Sequence, residues 1–328
     1  MDLGFLFGSL LTGGSQTQSI GLMEALKQRH NIKYAVLGEG PVDQLILESL
    51  RRFENVSPSE LREWAKVIHF DGTGDRQRAI RYLSPIAHRT VWFHGSFPKK
   101  GLREKIIGRK ELREATHVSV SEHVAKRLPV PSKVIFYADF DVTKPLPNVP
   151  KVFDVAILGR IRPIKNHDLF MDIVREGNFS FLVVGGSARS SEGHMNLKER
   201  ELRELARPGI DSVTGMVEQY RVPSLLQQAK VVVVTSHNEG LGAGLEAMAC
   251  GLPVVARRVG GTSEIYPDDA RWLSVAKRAK AAKYVDAINR AIREVGLGAR
   301  LREHVSQKYS KEGAVSAYEK LFLQLGSK

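Results

Sequence analysis

The first half of the chain alternates short apolar runs with longer amphipathic segments. The apolar runs at residues 3–7 and 33–37 predict strands, and the amphipathic segments at 19–29 and 42–52 predict helices. Two further apolar runs, 90–94 and 117–121, end at polar residues. Regular alternation of strand and helix is typical of a doubly wound parallel sheet, in which the carboxyl ends of the strands face the ligand.

Three prolines within residues 143–151 (TKPLPNVPK) interrupt this alternation, because proline removes backbone donors. We therefore predict an N-terminal domain over 1–142, a linker at 143–151 and a C-terminal domain over 152–306. The alternation then resumes. The predicted strands are 153–158, 179–184, 212–214, 231–235 and 253–256, and helices are predicted at 222–229 and 244–250. The last segment, 307–328, has apolar residues at helical spacing, and we expect it to pack back on the N-terminal domain.

The length of 328 residues fits two domains of roughly 150 residues each. The predicted fold class is α/β, with two Rossmann-like, doubly wound parallel-sheet domains. Cys250 is the only cysteine, which excludes an intramolecular disulfide and suits a reducing compartment. The chain start does not resemble a signal peptide, and the apolar run at 231–234 is far shorter than the roughly 18 residues of a spanning helix. We expect a cytoplasmic protein.

The net charge of +13 is unevenly distributed. Residues 76–133 hold 14 Lys and Arg against 4 Glu, and residues 97–113 interleave seven basic residues with apolar ones. One interpretation is an anionic partner: a phosphorylated acceptor, a membrane surface contacted peripherally through 97–113, or nucleic acid. The other is a well-solvated surface. The sequence leaves both open.

A glycine-rich turn follows the valine-rich run at 231–234 and leads into a predicted helix. The first N–H groups of a helix are unpaired and carry the positive end of its dipole, so they can bind a phosphate. Two carboxylates flank this turn, Glu239 within it and Glu246 on the helix. We expect them to accept hydrogen bonds from ribose or sugar hydroxyls beside that phosphate.

A second candidate segment follows the predicted strand 153–158. Gly159 ends this strand, and Arg160 and Lys165 come directly after it. A guanidinium and an ammonium at the carboxyl end of a strand can neutralise a diphosphate leaving group while negative charge develops on it.

Three motifs resemble one enzyme family. They are Gly159-Arg-Ile-x-Pro-x-Lys165, Glu246-Ala-Met-Ala-Cys-Gly-x-Pro-Val-Val-Ala256 and Gly260-Gly-Thr-Ser-Glu264. Together they resemble the retaining GT-B glycosyltransferases of the family 4 type, the glycosyl transferases group 1. The resemblance implies two Rossmann-like domains facing a central cleft and a hexosyltransferase that moves a sugar from a nucleotide-diphosphate sugar to a hydroxyl acceptor. That acceptor is a glycan, a lipid-linked or a phosphorylated molecule. It also implies a front-face mechanism that needs neither metal nor other cofactor.

The same resemblance assigns roles to individual residues. Arg160 and Lys165 would contact the diphosphate, and Glu239 and His94 the transferred sugar. The residues implied in donor or nucleotide binding are Glu246 at the ribose, Met216 and Val217 at the base, and Gly14, Gly159, Gly186, Asn238, Gly240, Leu241 and Gly242.

The chain departs from the family pattern in its spacing of the two glutamates. Six residues separate Glu239 from Glu246, where the family has seven, so that the expected position holds Asn238. Either the turn absorbs a deletion and Glu239 contacts the sugar, or Asn238 does. Ahead of the linker, residues 138–141 (ADFD) match the family only in their last Asp.

Other functions remain as alternatives. A nucleotide-sugar 2-epimerase of GT-B fold would share both domains, although the motifs match the transferases better. A binding module for anions, membranes or nucleic acid would use the basic 76–133 region, yet no nucleic-acid-binding motif is present and we expect no nucleic-acid partner. A dehydrogenase is disfavoured because the Gly-x-Gly-x-x-Gly pattern is missing. The ten histidines lack zinc-type spacing, so we expect no metal.

Overall fold

The structure, a computed structural model, describes residues 1–11, 14–38, 42–72, 74, 76–95, 113–138, 143–187 and 197–327. Contacts divide the chain into two units. The first comprises Met1–Tyr137 and Glu312–Lys328, and the second comprises Ala138–Lys311. The division falls a few residues before position 142, because residues 143–151 are held to the second unit. There the Gln227 side chain accepts from the Leu146 N–H at 2.7 Å and donates to the Lys144 carbonyl at 3.0 Å.

The first unit is built on a parallel sheet whose described strands are ordered β3-β2-β1-β4-β5-β6-β7. These strands are β1 Asp2–Phe7, β2 Asn31–Val36, β3 Glu54–Asn55, β4 Val67–Phe70, β5 Thr90–His94, β6 Thr116–Ser119 and β7 Lys133–Val134. Its helices are α1 Gly14–Leu26, α2 Gln44–Leu50, α3 Pro58–Trp64, α4 Arg76–Leu83 and α5 Glu122–Ala125, with a 3₁₀ helix at Ser84–Arg89. The strand predicted over 117–121 is shorter because the Ser121 side chain caps α5 by accepting from the Val124 N–H.

The C-terminal helix Lys311–Gly326 completes the core of the first unit. Its Tyr318 and Phe322 are almost fully buried, and the Phe322 ring meets the Phe5 ring of β1 edge-on with the centroids 6.4 Å apart. The helix therefore covers one face of the central strands.

The second unit is built on a parallel sheet with its described strands in the order β10-β9-β8-β11-β12-β13. They are β8 Phe153–Leu158, β9 Phe181–Val184, β10 Ser212–Val213, β11 Ala229–Val234, β12 Val254–Arg257 and β13 Ser274–Val275. The helices are α6 His167–Gly177, α7 Leu197–Leu205, α8 Val222–Leu226, α9 Gly242–Ala249, α10 Ala281–Arg293 and α11 Leu297–Lys308. Short 3₁₀ helices lie at Pro163–Lys165, Gln219–Arg221, Thr262–Ile265 and Asp268–Leu273.

The valines of β11 are buried because this strand lies between β8 and β12, in the middle of the sheet. Helix α9 begins at Gly242, two residues before the predicted start. Cys250, which follows α9, is buried as a packing residue. The predicted α/β class with two Rossmann-like parallel-sheet domains is thus confirmed.

Several predictions fall on residues outside the described ranges. Apart from its last residue, the basic segment 97–113 lies there, as do residues 139–141 of the ADFD turn. Among the helices that the structure does describe, none combines the length and the apolar character needed to cross a bilayer.

Candidate functional site

Four loops of the second unit meet along one edge of its sheet. They follow β8, β9, β10 and β11, and because these strands are parallel, their carboxyl ends lie at the same edge. The loops and the start of α9 carry all the donor-binding candidates of this unit: Gly159, Arg160, Lys165, Gly186, Met216, Val217, Asn238, Glu239, Gly240, Leu241, Gly242 and Glu246.

Glycines allow the first three of these loops to pack backbone against backbone. Gly159 and Gly185 both have φ of +137°, a conformation that side chains disfavour. A Cβ on Gly185 would lie 2.3 Å from the Gly159 carbonyl oxygen, and one on Gly186 would lie 2.6 Å from the Met216 nitrogen. The Ile161 N–H donates to the Gly186 carbonyl at 2.9 Å. The three loops are therefore closely packed and held in fixed positions at this edge of the sheet.

Lys165 and Glu239 form an ion pair at this edge. The Lys165 Nζ lies 2.5 Å from Glu239 Oε2, and the Ser236 hydroxyl donates to the same oxygen at 2.7 Å. The side chains of Lys165 and Glu239 are 20% and 14% exposed. The Lys165 stem passes over Gly159, where a Cβ would come within 3.0 Å of its Cε. A side chain at residue 159 would therefore crowd the lysine along its path to Glu239.

The loops after β8 and β11 are also joined by hydrogen bonds to backbone carbonyls. The Thr235 hydroxyl donates to the Lys165 carbonyl at 2.8 Å, and the His237 N–H donates to the Ile164 carbonyl at 2.8 Å. The Asn166 amide donates to the Thr235 carbonyl at 3.3 Å. These bonds fix the positions from which Lys165 and the Glu239 carboxylate extend.

Asn238 and Glu239, the two alternatives for the sugar contact, differ in their surroundings. Asn238 is exposed, whereas the Glu239 carboxylate is partly buried beside Lys165. The Glu239 carbonyl also accepts the Gly261 N–H at 3.2 Å. The turn therefore brings the Glu239 carboxylate, and not the Asn238 side chain, to the ammonium of Lys165.

Helix α9 presents its N-terminus at the same edge. No side chain caps it, and the first bond within the helix runs from the Leu245 N–H to the Leu241 carbonyl. A Cβ on Gly242 would meet nothing within 4 Å, so a ligand can come close to the backbone there. Leu241 is only 2% exposed and packs inside the unit, so it offers little surface to a ligand. Gly240 is partly buried within the same turn.

Glu246 lies on the next turn of α9 and is partly buried. Burial raises the pKa of its carboxyl from 4.5 to about 7. A hydrogen bond with the Gln219 side chain and the charge of Lys165 lower this pKa, and the charge of Glu239 raises it. A carboxyl that titrates near neutral pH in an open loop cluster is typical of a functional site.

We expect Glu246→Gln to change the dependence of stability on pH. The unfolded chain loses this proton near pH 4.5 and the folded state near pH 7, so the wild-type protein loses stability as the pH rises between these values. The amide does not ionise, and Glu246→Gln should therefore exceed the wild type by about 2 to 3 kcal/mol at pH 8 and equal it at pH 4.

Urea unfolding at the two pH values measures this effect. Glu204→Gln, which changes an exposed carboxylate of the same unit, is the matched control and should leave the pH dependence unchanged. An unchanged pH dependence in Glu246→Gln would contradict the assigned environment.

The remaining donor-binding candidates lie beside these groups. Arg160 follows Gly159 and is partly buried. Met216 is 41% exposed, Val217 is partly buried, and Tyr220 close by is 71% exposed. Met216 and Tyr220 leave surface open to solvent on the chain segment that carries Gln219, the hydrogen-bond partner of Glu246. A flat ring can stack on such a surface. The motifs gave no indication of Ser236 or Gln219. Gln219 reaches Glu246 from another loop, and Ser236 contacts Glu239 within the same turn, where the path of the backbone decides whether the two side chains meet.

Two further candidates, His94 and Gly14, belong to the first unit. His94 ends β5, is 3% exposed, and has its Nε2 2.9 Å from His117 Nδ1. Its position at the strand end matches the predicted run 90–94. Its partner does not follow from the sequence, since the two histidines are 23 residues apart on neighbouring strands. Gly14 begins α1, and a Cβ there would meet nothing within 4 Å.

A search of the described residues finds no group of three or more His, Cys, Asp or Glu side chains that could hold a metal ion. The expectation of a metal-free reaction stays a prediction.

The second unit matches a known protein family. Residues 153–294 fit the family model of glycosyl transferases group 1. A D-inositol 3-phosphate glycosyltransferase of Frankia alni is 32% identical over 150 residues, which are 43% of this chain and 37% of that protein. An uncharacterized glycosyltransferase of Methanocaldococcus jannaschii is 30% identical over 177 residues, 51% of this chain and 47% of that protein. The matched segments thus span less than half of these relatives.

Solved structures resemble the whole chain. The Anabaena protein HepE, crystallised in complex with UDP and glucose, has a TM-score of 0.78 at 16% identity, with 99% of this chain and 100% of that chain covered. Sucrose-phosphate synthase from Thermosynechococcus elongatus has a TM-score of 0.75 at 17% identity, with both chains covered completely. At these identities the similarity establishes the fold, which is that of the GT-B glycosyltransferases.

Proposed function

We propose that this chain uses its glycosyl transferases group 1 domain to transfer a sugar from a nucleotide-diphosphate sugar to a hydroxyl acceptor. The observation that carries the proposal is the cluster at one sheet edge of the second unit. There Lys165, the uncapped start of α9 and the Glu246 carboxyl lie together. Lys165 and the start of α9 suit a diphosphate, and the Glu246 carboxyl suits the adjacent ribose.

The proposed donor is a UDP-sugar. This choice is supported by the Anabaena neighbour, whose crystal structures hold UDP and UDP-glucose. The exposed Met216 would lie against the base, and Glu246 would accept hydrogen bonds from the ribose hydroxyls. Lys165 and Arg160 would hold the two phosphates.

The proposed chemistry retains the configuration of the sugar. The acceptor oxygen would attack the anomeric carbon from the face on which the diphosphate departs. The bond between that carbon and the phosphate oxygen breaks, its electron pair stays on the phosphate, and the phosphate takes the acceptor's proton. Lys165 and Arg160 stabilise the charge that develops, and no metal is required.

The proposed acceptor carries a negative charge. The excess of basic residues within 76–133 supports this, and so do the relatives named for D-inositol 3-phosphate. A phosphorylated polyol or an anionic lipid-linked glycan would both be attracted to such a region.

Thermal unfolding with UDP-, GDP- and ADP-sugars tests the donor site. A ligand that binds only the folded state adds about 2.7 kcal/mol at 100 times its Kd, so one nucleotide class should raise the Tm. We expect Arg160→Ala and Glu246→Ala each to remove that rise. Glu204→Ala, at an exposed position of the same unit, is the control and should keep it. A rise retained in both site variants would overturn the assignment.

A further inference from the structure

Glu239 is held through a single oxygen. Its Oε2 accepts from both Lys165 Nζ at 2.5 Å and the Ser236 hydroxyl at 2.7 Å. Within the ranges that the structure describes, no hydrogen bond reaches the other oxygen, Oε1. A carboxylate with one oxygen anchored and the other available has a fixed direction in which it can accept a further hydrogen bond.

The two anchors differ in what a donor would do to them. Lys165 has a flexible four-carbon stem, and a bound diphosphate, with more than one negative charge, would compete with Glu239 for its ammonium. Ser236 is only 2% exposed, has a single short side chain, and directly follows Thr235. Thr235 is itself fully buried and is bonded through its hydroxyl to the Lys165 carbonyl. The serine therefore keeps its position when the lysine turns to the phosphates.

We propose that Ser236 is a positioning residue for sugar recognition, whose hydroxyl holds Glu239 Oε2 so that Oε1 is presented to a hydroxyl of the transferred sugar. This inference rests on the proposed function. It adds that recognition of the sugar depends on Ser236 only through the Glu239 carboxylate, and that recognition of the nucleotide does not depend on Ser236.

Calorimetric titration with UDP and with UDP-glucose tests the proposal, because the two probes differ by the sugar. Ser236→Ala should weaken UDP-glucose binding about 10-fold, the effect of one charge-assisted hydrogen bond, while the Kd of UDP changes less than about 2-fold. Glu239→Ala should weaken UDP-glucose binding relative to UDP binding by at least as much as Ser236→Ala does. The double variant Ser236→Ala/Glu239→Ala should bind UDP-glucose no more weakly than Glu239→Ala alone.

Ser306→Ala is the matched control, since it makes the same substitution on α11 of the same unit, where the hydroxyl donates to the Glu303 carbonyl. It should not weaken UDP-glucose more than UDP. The proposal is overturned if Ser306→Ala is as selective as Ser236→Ala, if the effects of Ser236→Ala and Glu239→Ala add in the double variant, or if Ser236→Ala weakens both probes equally.

Two outcomes separate this inference from the proposed function. If the wild-type protein binds both probes and Glu239→Ala weakens them equally, the nucleotide site stands and the role of Ser236 is wrong. If the wild-type protein binds neither probe, the UDP-sugar donor itself is wrong, and the role of Ser236 falls with it.

Discussion

Lys165→Ala is expected to slow cleavage of the bond between the donor sugar and the nucleoside diphosphate about 100- to 1,000-fold. The lysine lies at the proposed leaving group, and loss of one preorganised charge contact in such a site costs about 2.7 to 4 kcal/mol of transition-state stabilisation. The substitution also leaves Glu239 with Ser236 as its remaining anchor. The effect is measured as the rate of turnover. The substrate is the sugar nucleotide that raises the Tm of the wild-type protein.

Lys230→Ala is the control for this experiment. Lys230 pairs with Asp154 on the surface of the same unit, at the start of β11 and so at the opposite edge of the sheet. Its removal should change turnover less than 2-fold, because Lys230 lies away from the proposed leaving group and its exposed ion pair contributes only about 0 to 1 kcal/mol to stability. Equal losses in Lys165→Ala and Lys230→Ala would show that general charge, and not contact with the leaving group, sets the rate.

Gly185→Ala is expected to destabilise the second unit by about 4 kcal/mol or more. An added Cβ would lie 2.3 Å from the Gly159 carbonyl oxygen, a backbone atom that cannot turn away, and φ at this position is +137°. Unfolding of the second unit, followed by calorimetry, should begin about 10 °C earlier.

Gly242→Ala is the comparison for the glycine substitution. It lies at the start of α9, where a Cβ meets nothing within 4 Å, and alanine favours a helix over glycine by about 1 kcal/mol. Its unfolding temperature should equal or exceed that of the wild type. A Gly185→Ala protein as stable as Gly242→Ala would mean that the loops after β8 and β9 do not pack as described.

The order of strands and helices in the second unit could be predicted from the sequence because the apolar runs are uninterrupted. Phe153–Leu158 has the predicted bounds, and β11 has a run of four valines. In the first unit β4 was not predicted: it has four residues, and His69 interrupts its apolar run. This histidine is nevertheless buried, and burial lowers its pKa to about 3, so it packs as a neutral ring.

The candidate site could be predicted only in part. Motif spacing gave the residues that face the ligand edge, because every parallel strand delivers its following loop there. It could not show that Lys165 and Glu239 pair with each other, nor that Ser236 shares the same carboxylate oxygen. The first contact depends on how two loops 70 residues apart pack, and the second depends on the path of the backbone within one turn. The side-chain types along the chain specify neither.

A crystal structure of the protein with UDP-glucose tests the central claim most directly. The account predicts the diphosphate within hydrogen-bonding distance of Lys165 and Arg160, against the first N–H groups of α9, with the ribose at Glu246. A well-ordered nucleotide bound away from the loops after β8 and β11, with the Lys165–Glu239 pair undisturbed, would contradict it.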